Sequence, residues 1–341
     1  MRRSKASPFP VAALTHAGMT GKNNEDRFGV SAFTLDDKDG TPVLLAVLAD
    51  GIGGHRAGEV AAEIAVESLS RVVTESDGGQ PRAILHAGVL QASQDILTAS
   101  QQEADRHGMG STVACIWLIG NRLYTVTVGD SRIYLMHNGH IRQISTDHTW
   151  VQEALDYGLL QPDEVKNHPN AHVIRRYLGS VKPVVPDFRL RLEDGEREEP
   201  AMQNQGMGLF AGDRLVLCSD GLTDLVEAEE IAGAFTNHTL DEAVQSLVDL
   251  ANKRGGHDNI TLIAIEFPPV SQTEVVIPIR KKPSAIKSLA LGCLGVIIFG
   301  ILAGGLWGSR LLGIWEIVPA PTTTPSQASY TVTPATVATS A

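Results

Sequence analysis

A recurring junction constrains this chain more than any other feature: an apolar run that stops on an aspartate. Residues 43–49 read VLLAVLA and end at Asp50, which Gly51, Gly53 and Gly54 follow. Asp130 follows a strand-like stretch in VGDSR, Asp220 follows another in LVLCSDG, and Asp258 in GGHDN precedes NITLIAI. Asp26, with Glu25, stands in KNNEDRF. A continuous apolar run of this length predicts a buried strand. One aspartate at a strand end is an ordinary turn former or helix cap. Four or five gathered at one end of a sheet repel one another unless cations sit between them. Carboxylate oxygens are hard ligands, suited to Mg²⁺ or Mn²⁺ rather than Zn²⁺. Two such cations about 4 Å apart clamp a phosphoryl group and activate a water.

The rest of the pattern alternates between helix and strand. Residues 59–73 place apolar side chains at 60, 61, 64, 65, 69, 72 and 73, which is helical spacing. A second helix is predicted over 81–106, with Pro81 at its start. Strands are predicted over 111–119, 122–128, 131–137 and 140–144, with turns at Asn121 and Asn138-Gly139. Residues 149–180 read as helical and irregular, broken at Pro162 and Pro169. Strands at 214–218 and 259–267 flank a helix at 241–253, and residues 193–212 read as loop. The expected class is α+β, with antiparallel sheets packed together and covered by helices.

Charge and cysteine usage exclude other classes. Lys and Arg number 28 against 39 Asp and Glu, a net charge of −11, which is the wrong sign for a nucleic-acid binder. Three cysteines, Cys115, Cys218 and Cys293, form no close pair, so a disulfide scaffold or thiolate zinc site is not expected.

One segment departs from the globular pattern. Residues 288–309 carry no charge, between Lys287 and Arg310, and their length suits a single transmembrane helix. Arg280, Lys281, Lys282 and Lys287 precede it and only Arg310 follows closely, so the N-terminal part is expected to be cytoplasmic. Residues 268–287 form a basic linker, and the Thr/Pro-rich tail 310–341 reads as disordered and extracytoplasmic. Residues 1–30 contain no signal-type apolar run.

Six motifs occur in order: NNED at 23–26, DGIGGHRAGE at 50–59, GMGST at 108–112, GDSRIY at 129–134, SDGL at 219–222 and GGHDNIT at 255–261. Together they resemble the metal-dependent protein phosphatases of the PPM (type 2C) family in bacterial form, over roughly residues 12–267. The resemblance implies an α/β/β/α four-layer sandwich of two antiparallel sheets, with two Mn²⁺ or Mg²⁺ ions between them. It implies that Asp50 bridges both ions, that the Gly51 carbonyl holds one, and that Asp220 and Asp258 hold the other. Glu25 or Asp26 would touch the site directly or through water. Asp130, with Asp220, matches the position of a third, weaker metal.

The implied reaction is hydrolysis of phosphoserine and phosphothreonine in proteins by a metal-activated water. Residues 145–180 resemble a mobile flap beside the site, in which His148 and His168 read as structural. Cys218 reads as core, not nucleophile. Two departures stand out. Eukaryotic members place a histidine directly after the metal-binding Asp-Gly; here Ile52 stands there, and His55 is the candidate general acid. Bacterial relatives carry an arginine where this chain has Gly21, which leaves Lys22, Arg27 and Arg56 as candidate phosphate donors. On an extended chain Lys22 would face away from that position, unless Gly21 permits a bulge. By the same resemblance the partners are phosphorylated proteins, a bacterial-type Ser/Thr kinase among them. The alternative readings are a catalytically weak or silent phosphoprotein-binding regulatory member of the same fold, which would keep these carboxylates, and a membrane-tethered scaffold or receptor acting through its outer tail.

Overall fold

The run at 43–49 lies in a strand whose two faces enter two different cores. Val43, Leu45, Val47 and Ala49 pack on one side; Leu44, Ala46 and Leu48 pack on the other. A strand covered on both faces has no position for a polar residue, and this is why the run is continuous rather than alternating.

The computed structural model describes residues 1–53, 57–165 and 168–268. In chain order the strands are β1 (Arg2–Arg3), β2 (Val11–His16), β3 (Arg27–Thr34), β4 (Pro42–Ala49), β5 (Gly51–Ile52), β6 (Gly110–Ser111), β7 (Val113–Ile119), β8 (Arg122–Val128), β9 (Arg132–His137), β10 (His140–Gln143), β11 (Met207–Gly208), β12 (Arg214–Cys218) and β13 (Ile260–Glu266). The helices are α1 (Ala57–Glu75), α2 (Pro81–Gln102), α3 (Trp150–Asp156), α4 (Glu198–Gln203), α5 (Asp220–Thr223), α6 (Ala228–Ala234) and α7 (Leu240–Lys253). One sheet runs β1-β3-β4-β7-β8-β11 and the other β10-β9-β12-β13-β2, with every pairing antiparallel.

Three cores make four layers. Leu69, Val73, Leu85 and Ile96 of α1 and α2 pack on the outer face of the first sheet. Ile116 and Leu118 of β7 meet Leu215, Leu217 and Ile263 between the sheets. Val216 and Leu262 on the far face of the second sheet meet Leu247 and Val248 of α7. Helix α7 begins in a reciprocal cap: Thr239 Oγ1 accepts the Glu242 N–H at 3.3 Å, and Glu242 Oε2 accepts the Thr239 N–H at 2.9 Å.

The expected strand at 111–119 is interrupted at Thr112. Its N–H donates to the Asp50 carbonyl at 2.8 Å, and the two residues before it pair with β5 instead. The loop expected at 193–212 contains α4, whose Pro200 sits in the first turn, where its missing N–H costs nothing. Strands β2 and β3 and helix α6 were not expected; each has few buried residues, with only Phe33 buried in β3, only Ile231 in α6, and only Ala12 in β2, which is an edge strand. Among the described residues no helix is long and apolar enough to cross a membrane. The candidate membrane segment 288–309, the tail and the linker beyond residue 268 lie outside the described residues.

The flap is rooted by one buried histidine. Gly129 N–H donates to His148 Nδ1 at 2.9 Å, so Nε2 carries the proton and donates to Asp187 Oδ2 at 2.9 Å. Arg189 Nε reaches the same oxygen at 2.8 Å, and Asp187 exchanges two backbone hydrogen bonds with Thr127 of β8. Burial alone would raise the Asp187 carboxyl. The His148 hydrogen bond and the Arg189 guanidinium outweigh it and hold the group well below the usual carboxylate range. This stabilisation is complete above the unfolded carboxyl pKa of about 4 and is lost as pH falls toward the depressed folded value. Asp187→Asn should therefore destabilise the fold by about 2–4 kcal/mol at pH 7. Thermal melts of the two proteins should converge as pH drops below 4; a gap that is unchanged there would mean that the charge is not what stabilises.

Candidate metal centre

The strand-end aspartates meet at one rim of the sandwich because the loops that carry them are bolted together through backbone. Asp50 lies at the end of β4. Its N–H donates to Thr112 Oγ1 at 3.0 Å, and its carbonyl accepts from the Thr112 N–H and from Ser111 Oγ. Asp220 opens α5 directly after β12, and a Cβ on the next residue, Gly221, would lie 2.0 Å from the Asn259 carbonyl. Only glycine lets these two loops touch. Gly18, at φ +75°, does the same on the other side, where a Cβ would come within 2.3 Å of the Asp258 carbonyl.

Asn259 joins the third loop to the other two. Its Oδ1 accepts the Glu25 N–H at 2.7 Å, and its Nδ2 donates to the carbonyls of Ala17 and Asn23, each at 3.1 Å. Asp26 is then lodged beneath: Ser219 Oγ donates to its Oδ2 at 2.8 Å, while its buried Oδ1 has no hydrogen-bond partner among the described residues. Glu25 Oε2 and the Gly51 carbonyl border the same space, 2.5 and 2.8 Å from where a Cβ on Gly58 would stand.

The electrostatics are repulsive. Burial pushes Asp26 up to about 7; hydrogen bonds from Thr261 and Ser219 oppose this, and the charges of Asp220 and Asp258 add to it. Burial raises Asp50 well above the usual range, reinforced by Asp26, Asp220 and Asp130. Asp130, 6% exposed, is raised by burial and by Asp220 and Asp147. Burial pushes Asp220 up to about 6, with Asp224 and Asp258 contributing. Within the set, the cations that oppose this are Arg132, beside Asp130, and His172, beside Asp220.

Buried carboxylates without matching cations are expensive. An all-oxygen set with one orphaned oxygen is the donor chemistry of a hard divalent cation, Mg²⁺ or Mn²⁺. The fit is therefore good for the residues Glu25, Asp26, Asp50, Gly51, Asp220 and Asp258, with Asp130 beside them.

The structure sorts the remaining candidates. Gly21 has φ +74° with open space around it, so the chain turns there and is not extended. Lys22 is exposed and makes no hydrogen bond or ion pair among the described residues. Arg27 is engaged: it pairs with Glu59 and donates to the carbonyls of Asn24, at 3.0 Å, and Asp26, at 2.8 Å. His55 and Arg56 lie outside the described residues. His148 is structural, as described above, and His168 stacks on Trp150 at 4.8 Å. Cys218 is fully buried, and burial pushes its thiol up to about 12, which suits core rather than a nucleophile.

Two residues beside the centre were missed from the sequence. Asp224 stands four residues after Asp220, on the same face of a helical turn, and that spacing was the available signal. His172, in the flap, places Nδ1 3.4 Å from Asp224 Oδ2. Both border a cleft of about 520 Å³ between flap and sheet, together with Asp130, Asp147, Asp220 and His257.

Comparison with known proteins gives a consistent result. The family described as Protein phosphatase 2C matches residues 15–255. A protein described as putative protein phosphatase 2C-type, from Streptococcus pyogenes serotype M6, is 35% identical over 259 residues, 75% of this chain and 96% of that protein. Serine/threonine protein phosphatase PstP of Mycobacterium tuberculosis is 35% identical over 255 residues, 75% of this chain. The match covers only 44% of PstP, so the chain spans less than half the length of that relative. The solved catalytic domain of PstP, in complex with two manganese ions, superposes with a TM-score of 0.61 at 34% identity, covering 76% of this chain and 97% of that domain.

The raised carboxyls set a pH dependence. A group whose folded pKa is raised binds its proton more tightly in the folded state, so its cost is absent below the unfolded pKa and grows as pH rises through the folded one. For Asp26 and Asp220 that window runs from about pH 4 to about 7. In EDTA the protein should lose melting temperature between pH 5 and pH 8, and Asp26→Asn should flatten the trend. Saturating Mn²⁺ should abolish it, and a metal-free melting curve independent of pH would contradict the electrostatic picture.

Proposed function

The chain belongs to the protein phosphatase 2C family, and on that premise we propose that it hydrolyses phosphoserine and phosphothreonine in proteins, using two Mn²⁺ or Mg²⁺ ions. The observation that carries this reading is the buried, mutually repelling aspartate set with the orphaned Oδ1 of Asp26. In this reading Asp50 serves both ions, the Gly51 carbonyl one of them, and Asp220 and Asp258 the other. Glu25 and Asp26 bound the site, and Asp130 with Asp220 serves a weaker third ion. Bound there, the ions would supply Lewis acidity, which makes a water more acidic and offsets charge on the phosphoryl oxygens.

The chain's own residues supply the rest. Ser219 and Asn259 fix Asp26 and the 18–25 loop before substrate arrives, so little reorganisation remains for the reaction itself. Of the two candidate phosphate donors among the described residues, Lys22 is the one that stays available, since Arg27 is committed to Glu59 and to the loop carbonyls; Arg56, the third candidate, lies outside them. An ammonium binds phosphate as a point charge rather than as a bidentate fork, which predicts a high KM. His55 is the candidate proton donor to the leaving alkoxide. The substrates in this reading are phosphoproteins made by a Ser/Thr kinase.

Segment 288–309 is proposed to anchor the protein as a single transmembrane helix, with the basic cluster 280–287 at the inner face. Residues 1–267 would then work in the cytoplasm, at the membrane.

Hydrolysis of a phosphothreonine peptide should require Mn²⁺ or Mg²⁺. Asp220→Asn or Asp258→Asn should lose at least about 100-fold in kcat, because an amide cannot replace a ligand charge. Lys22→Ala should raise KM about 10-fold with less effect on kcat. Near-normal turnover in both aspartate variants at low Mn²⁺ would sink the assignment. For the anchor, protease added to intact cells should leave residues 1–267 uncut, and digestion there would reverse the topology.

A further inference from the structure

The two residues that hold Asp50 also hold both ends of the flap. The peptides on either side of the Asp50 Cα are each fixed by hydrogen bonds. The Asp50 N–H donates to Thr112 Oγ1 at 3.0 Å, and its carbonyl accepts from the Thr112 N–H at 2.8 Å and from Ser111 Oγ at 3.0 Å. Two fixed peptides set φ and ψ between them, and so set the direction in which the carboxylate leaves the backbone.

Ser111 also exchanges two backbone hydrogen bonds with Leu178, at 3.2 and 2.8 Å, where the flap returns to the sandwich. That approach needs Gly110, on which a Cβ would lie 2.8 Å from the Leu178 carbonyl. The other end of the flap starts beside Thr112. A Cβ on Gly129 would lie 2.6 Å from Thr112 Cβ and Cγ2. Gly129 in turn holds His148: its N–H donates to Nδ1 and its carbonyl accepts the His148 N–H, each at 2.9 Å. Arg175 joins the two ends by donating its N–H to the His148 carbonyl at 2.7 Å.

Thr112 is fully buried, and its side chain divides between the two tasks. Its Oγ1 accepts the Asp50 N–H and pairs with Ser131 Oγ at 2.8 Å. Its methyl carbon packs against Gly129 and so against the root of the flap.

We propose that Thr112 is a positioning residue that ties Asp50 to both roots of the flap, so that metal occupancy at Asp50 and order in the flap rise and fall together. The proposal rests on the reading of Asp50 as a ligand of the main centre. A hydrogen bond that orients a ligand acts on metal affinity by holding the ligand in place. Contacts as close as those at Gly110 and Gly129 leave no slack to absorb a shift of Asp50, so the shift passes on to the flap roots. Linkage makes the effect reciprocal: order that metal gives to the flap returns as affinity for metal.

The hydroxyl and the methyl can be removed separately. Thr112→Val keeps the shape and the contact with Gly129, and leaves the Asp50 N–H without its acceptor. Thr112→Ser keeps the oxygen and is the conservative rescue.

The test measures amide hydrogen exchange of the full chain with and without Mn²⁺, beside a calorimetric Mn²⁺ titration. In wild type, saturating Mn²⁺ should slow exchange at His148, Arg175 and Leu178, whose N–H groups bond across the flap roots, by at least about threefold. Thr112→Val should weaken Mn²⁺ binding about tenfold, and its flap roots should exchange at the metal-free rate even when its sites are filled. Thr112→Ser should restore both properties. An ion that touched the flap directly would protect the roots in Thr112→Val as well. That result, or a Thr112→Val affinity equal to wild type, would overturn the inference and leave the phosphatase reading intact. If Thr112→Val does not fold, Ser111→Ala decides. It removes one hydrogen bond to the Asp50 carbonyl, leaves the backbone pairing with Leu178, and should lose part of both effects. Wild-type affinity and protection in that variant would equally overturn the proposal. A wild type that binds no Mn²⁺ would remove both readings.

Discussion

Mutual repulsion among buried aspartates is the interaction on which the rest of this structure depends. Burial raises Asp26, Asp50, Asp130 and Asp220, and neighbouring carboxylates, Asp258 among them, push in the same direction. Such a set is unfavourable in isolation, and the protein holds it by making each carrying loop rigid from below. The hydrogen bonds that do this run mostly through backbone and through neutral side chains such as Asn259, Thr112 and Ser219. Neutral partners orient the carboxylates without cancelling their charge, which leaves that charge for a divalent ion.

The four-layer packing supplies the stiffness. Each central strand is buried on both faces, so its end cannot shift without disturbing two cores. Strands β4, β8, β12 and β13 therefore present their terminal aspartates from fixed points. Glycines then let the loops approach backbone to backbone: Gly221 against Asn259, and Gly18 against Asp258. A methyl group at either place would push apart two of the loops that carry the rim carboxylates.

Sequence patterns reached the central strands and the long helices but not the edges. Strands β8 and β12 fall where the apolar runs predict, since burial on both faces writes itself directly into composition. Strand β2 and helices α4 and α6 did not stand out, because short elements with one partly exposed face leave weak periodicity. The flap was recognised as a segment, yet its root at His148, Asp187 and Arg189 joins residues 39 and 41 positions apart and has no local signature.

The sequence by itself determined that this chain buries strands ending in carboxylates, and that its motifs, in order, belong to a metal-dependent phosphatase family. Those properties are local: an apolar run, a glycine turn and an aspartate at its end. Tertiary structure alone decided which of the candidate groups are free to act. It turned the chain at Gly21, committed Arg27 to Glu59, left Lys22 exposed, and brought His172 within 3.4 Å of Asp224 across 52 residues of chain. Such pairings depend on how loops from different strands meet above a shared rim. No residue type or spacing encodes that distance until the sheets have packed.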